Sequence, residues 1–290
     1  MMLTTAQKLL IAKIAYWVLM TSRRVVGLTP QTQAKRGGIQ WSLDLREGID
    51  ISIYLLGNFE PRTQRLYRRL VKPGDTIFDV GANIGSHALP LSLLVGNQGR
   101  VFAFEPTEFA YHKLLANIEL NPELKSRVVP RQTMLTAPSQ NGIPPALFSS
   151  WPLTGCDEVH EQHKGRSMAT SGAGAKTLDE VVSQENIKKV TLIKLDVDGY
   201  ESSVLSGAIE TLKRDRPDIL LELAPYLLKN CKEDLSRMVE IFRGLGYVWL
   251  DANRKHPLPL DEEQLWRLVP AGASRNVLAR FSPGPCTTIK

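Results

Sequence analysis

The sequence predicts an α/β fold, a mostly parallel sheet of about seven strands with helices on both faces, preceded by an N-terminal helix and a β-hairpin. Three observations predict it. Short apolar, β-prone runs alternate with helix-like segments between Asp75 and Tyr226, the order a parallel sheet requires. A glycine-containing loop from Gly81 to Gly85 joins the first of these strands to the first of these helices. Two further strand-like runs, 247–250 and 276–281, follow the last alternating unit and place a hairpin at the far edge of the sheet.

At 290 residues and 43% hydrophobic content the chain can bury a substantial core. Residues 9–20 are apolar except for Lys13 and are followed by Arg23 and Arg24. A bilayer crossing needs about 20 apolar residues, so this run is too short, and Thr21-Ser22-Arg23-Arg24 does not resemble a secretory cleavage site. A helix packed on the domain is the first reading. Peripheral membrane contact through residues 9–20, with Tyr16 and Trp17 at the interface, is the second. From Ile39 to Leu56 apolar and polar residues alternate around Glu47-Gly48, which predicts the hairpin, and Pro61 then opens a helix that Lys72-Pro73-Gly74 closes. The expected organisation is a helical extension (1–38), a hairpin-and-helix add-on (39–71) and a main domain (72–290). Within it, residues 137–175 lose all periodicity. So long a loop, leaving the third strand near the carboxyl ends of the sheet, is expected to be an acceptor lid.

Cys156, Cys231 and Cys286 are odd in number and far apart, which points to a reducing, cytoplasmic setting and no zinc site. The net charge of +6, spread through helical stretches such as 62–69, reads as solvated helix faces and not as a nucleic-acid surface.

The chemistry concentrates in three places. Asp79-Val80-Gly81-Ala82-Asn83-Ile84-Gly85 sits where a strand turns into a helix, with glycines that let backbone approach a ligand and amides that favour a carboxylate or phosphate. Its G-x-N-x-G spacing departs from the G-x-G-x-x-G of dinucleotide sites and suits a methyl donor better, with Asp79 accepting from an ammonium group. Glu105 closes the second strand 26 residues later, where a carboxylate can accept from both hydroxyls of a ribose, and Pro106 fixes the turn after it. The third place is Lys194-Leu195-Asp196-Val197-Asp198. Strand alternation puts Lys194, Asp196 and Asp198 on one face, as a structural ion pair or as groups orienting or deprotonating an acceptor hydroxyl.

At these residues the chain resembles the FkbM family of S-adenosylmethionine-dependent methyltransferases. The matching pieces are GNFEP (57–61), KPGDTIFDVGANIG (72–85), FAFEP (102–106), KTLDEVV (176–182), IKLDVDGYESSVLSGA (193–208) and PDILLEL (217–223). The resemblance implies a Rossmann-like class I methyltransferase fold, S-adenosylmethionine as donor, and O-methylation of a sugar or other small secondary metabolite. It implies that Asp79, Gly81, Asn83 and Gly85 hold the methionine part, that Glu105 and Pro106 hold the ribose side, and that Asp196 stands near the reacting centre. The sequence departs from the family at Leu135–Gly142, which lacks the acidic residue expected after the third strand, and at Asp198, where glutamate is usual. Candidate bases beside Asp196 are His87, just after the glycine loop, and His163. His160, Asp198, Glu60 and Glu222 are candidate acceptor contacts. The competing readings are a nicotinamide dehydrogenase on the same fold and a non-catalytic nucleoside-binding or membrane-surface scaffold.

Overall fold

The computed structural model describes residues 4–138, 140, 142–155, 159–160, 164–230, 235–253 and 256–283. Helix α1 (Thr5–Val25) begins at a capping box between Thr4 and Gln7. Strands β1 (Gln31–Arg36) and β2 (Ile39–Asp44) then form an antiparallel hairpin. Its turn is Gly37-Gly38, with φ of 58° and 85°, the left-handed backbone a two-residue hairpin loop needs. The hairpin expected around Glu47-Gly48 therefore lies one segment earlier, and the boundary expected at residue 38 falls in its turn. The stretch after Glu47 is helix α2 (Gly48–Leu56). Ile49, Ile51 and Ile53 alternate as a strand would, but Ile49 and Ile53 also stand one helical turn apart. Packing against α1 and β2 buries all three and selects the helical period. Helix α3 (Pro61–Leu70) follows, as its proline start predicts.

The main domain contributes β3 (Thr76–Val80), α4 (Ala88–Val95), β4 (Arg100–Phe104), α5 (Glu108–Glu119), α6 (Pro122–Lys125) and β5 (Val128–Arg131). Next come β6 (Thr133–Leu135), β7 (Ala146–Ser149), β8 (Arg166–Ala169), β9 (Gly174–Lys176) and α7 (Leu178–Gln184). The chain continues through β10 (Leu192–Leu195), α8 (Glu201–Ser206), α9 (Ile209–Asp215), β11 (Asp218–Leu223), α10 (Pro225–Asn230) and α11 (Leu235–Gly244). It closes with β12 (Tyr247–Asp251), β13 (Pro257–Leu258), α12 (Glu262–Leu268) and β14 (Arg275–Phe281).

Eight of these strands form one sheet in the order β13-β12-β14-β11-β10-β3-β4-β5. The run from β11 to β5 is parallel, β14 is antiparallel to β11, and β12, antiparallel to β14, again points the way of β11. This is the expected Rossmann-like sheet with one extra edge strand, β13. The stretch expected as a single third strand divides into β5, in the sheet, and β6, which pairs with β9 outside it.

Alternation along the buried strands feeds two cores. Phe78, Val80, Phe102, Phe104, Ile193 and Leu195 pack on the side of α7, α8 and α11, while Ile77, Val101, Ala103, Leu192 and Leu220 pack on the side of α2, α3, α4 and α5. Polar residues at the carboxyl ends of the strands share the second side. Asp79 of β3 and Lys194 of β10 are registered neighbours there, and Glu222 of β11 stands opposite Asn276 of β14.

Candidate active site

The loop after β3 crosses the end of β10 at closest approach. Gly81 has φ 83°, and a Cβ on it would stand 1.7 Å from the carbonyl oxygen of Asp196, so no other residue fits. The amides that follow are all used within the protein. Those of Gly81 and Ala82 donate to Phe104 O (3.0 and 2.9 Å), that of Asn83 to Glu105 Oε2 (2.9 Å), that of Ile84 to Asn83 Oδ1 (2.9 Å) and that of Gly85 to Ala82 O (2.9 Å). The expectation that these amides cradle a carboxylate or phosphate is thus overturned, and a dinucleotide pyrophosphate finds no anion site here. Gly85 is not among the residues that line the cavity beyond the loop. It lets Leu114 of α5 pack against the loop.

Beyond the loop lies a cavity of about 310 Å³, lined by Gly81, Asn83, His87, Glu105, Pro106, Asp196 and Asp198, among others. Its far wall comes from the 137–175 segment, which carries the β7–β8 hairpin and contributes Phe148, Ser149, Ser150, Trp151 and His160. Asn83 joins the two walls: its Nδ2 donates to Ser150 Oγ (3.0 Å) and Ser149 Oγ (3.3 Å). The segment is also anchored on α2, where the amide of Gly48 donates to Trp151 O (2.8 Å). His160 meets Phe148 edge to face. His163 lies outside the described residues.

Glu105 is buried at the mouth of the cavity and its carboxylate is pinned in place. Oε2 accepts from the Asn83 amide, and Oε1 accepts from the Thr107 amide (2.9 Å) and the Thr107 hydroxyl (2.5 Å). Burial pushes its pKa up, and these donors oppose the rise. A carboxylate has about four acceptor positions, so one remains on Oε2, and the Thr107 hydroxyl can rotate to free a second.

Asp79 is fully buried beneath the loop, with no full hydrogen bond to either oxygen among the described residues and only the Ala88 amide at the start of α4 in weak support. Burial raises its pKa to about 7, with Lys194 opposing and Asp196 adding to the rise. Lys194 Nζ sits 2.8 Å from Asp196 Oδ2. β10 ends at Leu195, so strand alternation carries Lys194 but not the residues after it, and Asp198 turns into left-handed backbone at φ 50°. Asp196 keeps 23% of its side chain open toward the cavity. Burial works to raise its pKa, but the Lys194 charge and a hydrogen bond from Glu222 hold it down at about 2. Glu222 and Asp198 are pushed well up, first by burial and then by the Asp196 charge, so both keep a proton. Glu60 and Glu222 line no part of the cavity. They lie below it, where Asn276 Nδ2 donates to Glu60 Oε2 (3.2 Å).

His87 reaches the cavity with its ring held between Tyr67 and Phe59. Burial and the Lys194 charge hold its pKa at about 3, so the ring is neutral. Tyr67 is fully buried and keeps its proton, and its Oη lies 2.9 Å from His87 Nδ1. Tyr67 Oη and Nδ1 share one hydrogen bond whose direction follows the ring tautomer: with the ring proton on Nε2, 3.9 Å from Glu60 Oε2, the hydroxyl donates to Nδ1. In that tautomer His87 presents a donor to the cavity; in the other its Nε2 is an acceptor there. Tyr67, Thr107, Ser149, Ser150 and Asn276 carried no sequence signal of their own, because each acts through a partner distant in the chain.

The profile of the family described as the methyltransferase FkbM domain matches residues 79–249, more than half of the chain. The chain belongs to the FkbM methyltransferase family. It is 30% identical to the hexuronic acid methyltransferase AglP of Haloferax volcanii over 152 residues, covering 51% of this chain and 56% of that protein. It is 27% identical to the 2-O-methyltransferase NoeI of Sinorhizobium fredii over 193 residues, covering 59% and 77%. It is 25% identical to the 31-O-demethyl-FK506 methyltransferase FkbM of Streptomyces tacrolimicus over 215 residues, covering 64% and 78%. The match thus spans little more than half the length of AglP.

The residues present fit S-adenosylmethionine, the donor that the sequence resemblance implies. Glu105, Asp196 and Asp198 line the cavity and Asp79 lies buried beneath the adjoining loop, with Lys194 paired to the ionised Asp196, an acceptor-rich setting suited to a ligand carrying a sulfonium and an ammonium. The weakly supported oxygens of Asp79 and the spare acceptor position of Glu105 fit the donors that such a ligand carries.

Proposed function

We propose that this chain transfers a methyl group from S-adenosylmethionine to a hydroxyl of a sugar or another small hydroxylated acceptor. The observation that carries the reading is Asp196, an ionised carboxylate opening into the cavity beside Gly81 and Glu105. When bound, the cofactor supplies an activated methyl group whose carbon–sulfur bond breaks as the acceptor oxygen attacks. Asp79 would hold the ammonium and Glu105 the ribose. Asp196 accepts a hydrogen bond from the acceptor hydroxyl and aims a lone pair along the line of transfer. A carboxylate held at about pKa 2 is a poor resting place for a proton at neutral pH, so Asp196 orients the hydroxyl, and the proton leaves through solvent or a lid residue such as His160. With its proton on Nε2, His87 would donate to the acceptor or to the cofactor carboxylate. The β7–β8 segment excludes water as the lid.

The relatives support hydroxyl chemistry, since one is named for a hexuronic acid and two for O-methylation. A cavity walled by carboxylates disfavours a polyanion, so the acceptor is a small molecule and not a nucleic acid. The unpaired spacing of Cys156, Cys231 and Cys286, all outside the described residues, favours a reducing, cytoplasmic setting. The test is release of S-adenosylhomocysteine when the protein meets a panel of hexuronic acids, hexoses and their glycosides. Turnover that falls about 100-fold or more in Asp196→Asn, with cofactor affinity kept, is the expected result. Cofactor binding without turnover on any hydroxylated acceptor would replace this reading with the scaffold.

A further inference from the structure

Helix α1 is apolar on two sides. One side carries Leu9 and Met20, with Ala12, Tyr16 and Leu19, and packs against α2, Trp151 and Leu153. The other faces solvent with Leu10 (60% exposed), Ile11 (57%), Ile14 (58%), Trp17 (70%) and Val18 (58%). At about 100° per residue these five side chains fall within about 120° of the helix circumference. Lys13 and Arg24 flank one edge of this stripe and Lys8 the other, all three exposed. Val25 and Val26 extend it past the last turn at 84% and 67% exposure.

The charge that accompanies this stripe is one-sided. Lys8, Lys13, Arg23, Arg24, Lys35 and Arg36 are the only charged residues before Asp44, and they equal the net +6 of the whole chain. The excess is therefore gathered on the N-terminal segment, contrary to the spread expected from composition, and the rest of the chain is balanced. An exposed apolar stripe edged by cations and free of acids matches one kind of surface, a bilayer carrying anionic headgroups. A second copy of this chain is disfavoured, because an isologous contact would set Lys13 and Arg24 of one copy against the same cations of the other. No helix among the described residues is long and apolar enough to cross a membrane, so the contact is peripheral.

We propose that the solvent face of α1, with Trp17 at its centre, docks this protein on an anionic membrane surface. The inference does not depend on the proposed chemistry. It is tested by sedimenting the full chain with vesicles of phosphatidylcholine alone and with one quarter phosphatidylglycerol. The expected result is binding to the anionic vesicles only, weakened by salt. Binding should fall about fivefold for each of Lys13→Gln and Arg24→Gln and be lost in Ile14→Ser/Trp17→Ser, with the melting temperature unchanged because these side chains are exposed. Equal binding to both vesicles, no binding to either, or a concentration-dependent dimer abolished by Ile14→Ser/Trp17→Ser would each overturn the proposal.

Discussion

Asp79→Asn should stabilise the cofactor-free protein while removing its affinity for S-adenosylmethionine. Asp79 is fully buried, has only the Ala88 amide in weak support, and is raised to about 7. An unfolded aspartate titrates near about 4, so between these values the folded protein holds more protons than the unfolded one, and stability falls as pH rises. Taken alone, this group costs about 1.5 kcal/mol at pH 5 and about 4 kcal/mol at pH 8, an upper bound. Asparagine keeps the shape and removes the charge. Urea denaturation of the cofactor-free protein should show the variant ahead of wild type by a margin that widens by about 2.5 kcal/mol between pH 5 and pH 8. With cofactor present the order should reverse, since the ammonium stabilises the charged form. Calorimetry near pH 6.5 should then detect a proton released on binding by wild type and not by the variant. A variant less stable than wild type at pH 8 without cofactor, or binding with no proton release, would refute the assignment of Asp79 to the ammonium.

Three further outcomes follow from the same geometry. Gly81→Ala combines a left-handed residue with a Cβ 1.7 Å from the Asp196 carbonyl oxygen, so it should lose at least about 2 kcal/mol of stability; a denaturation midpoint matching wild type would contradict the packing. Glu105→Gln should weaken cofactor binding by about 10- to 100-fold, the scale of a hydrogen bond to a charged group, with titration calorimetry as the readout. His87→Gln retains a donor toward the cavity and an acceptor for Tyr67, so it should keep turnover within about tenfold, whereas His87→Ala should not. If neither variant turns over and the wild-type rate rises through an ionisation near pH 6.5, His87 is a base after all.

What the sequence made legible was local. The strand–loop–helix around Asp79 and the strand end at Glu105 could be read because each depends on residues within a few positions, and the buried strands announce themselves by their apolar runs. Register then makes Asp79 and Lys194 neighbours, which spacing along the chain cannot do. The hydrogen bond that goes with the tautomer of His87 comes from Tyr67, 20 residues upstream, and the tether from Asn83 to the 137–175 segment spans 66 and 67 residues. Ile49 to Leu56 was readable as strand or helix on its own terms, and only tertiary burial separates the two. The loop amides were misread for a related reason. Their count at a helix start suggests an anion site, but Glu105 and Phe104 reach them from the neighbouring strand.

The electrostatic design of the cavity links these observations. Burial raises the pKa of Asp79, Glu105 and Asp198, whereas Asp196 is lowered, because Lys194 lies against it. Without a ligand, every carboxylate in the raised group makes the fold less stable as pH rises. A ligand bringing two positive charges relieves that cost, so part of its affinity comes from instability held in the empty site. Affinity for a cationic cofactor should therefore increase from pH 5 to pH 8. S-adenosylhomocysteine, which lacks the sulfonium charge, should show a weaker rise, and titration of both ligands across that range measures the difference. If the two ligands gain equally with pH, the sulfonium is not read by these carboxylates, and Asp79 with the ammonium accounts for the whole effect.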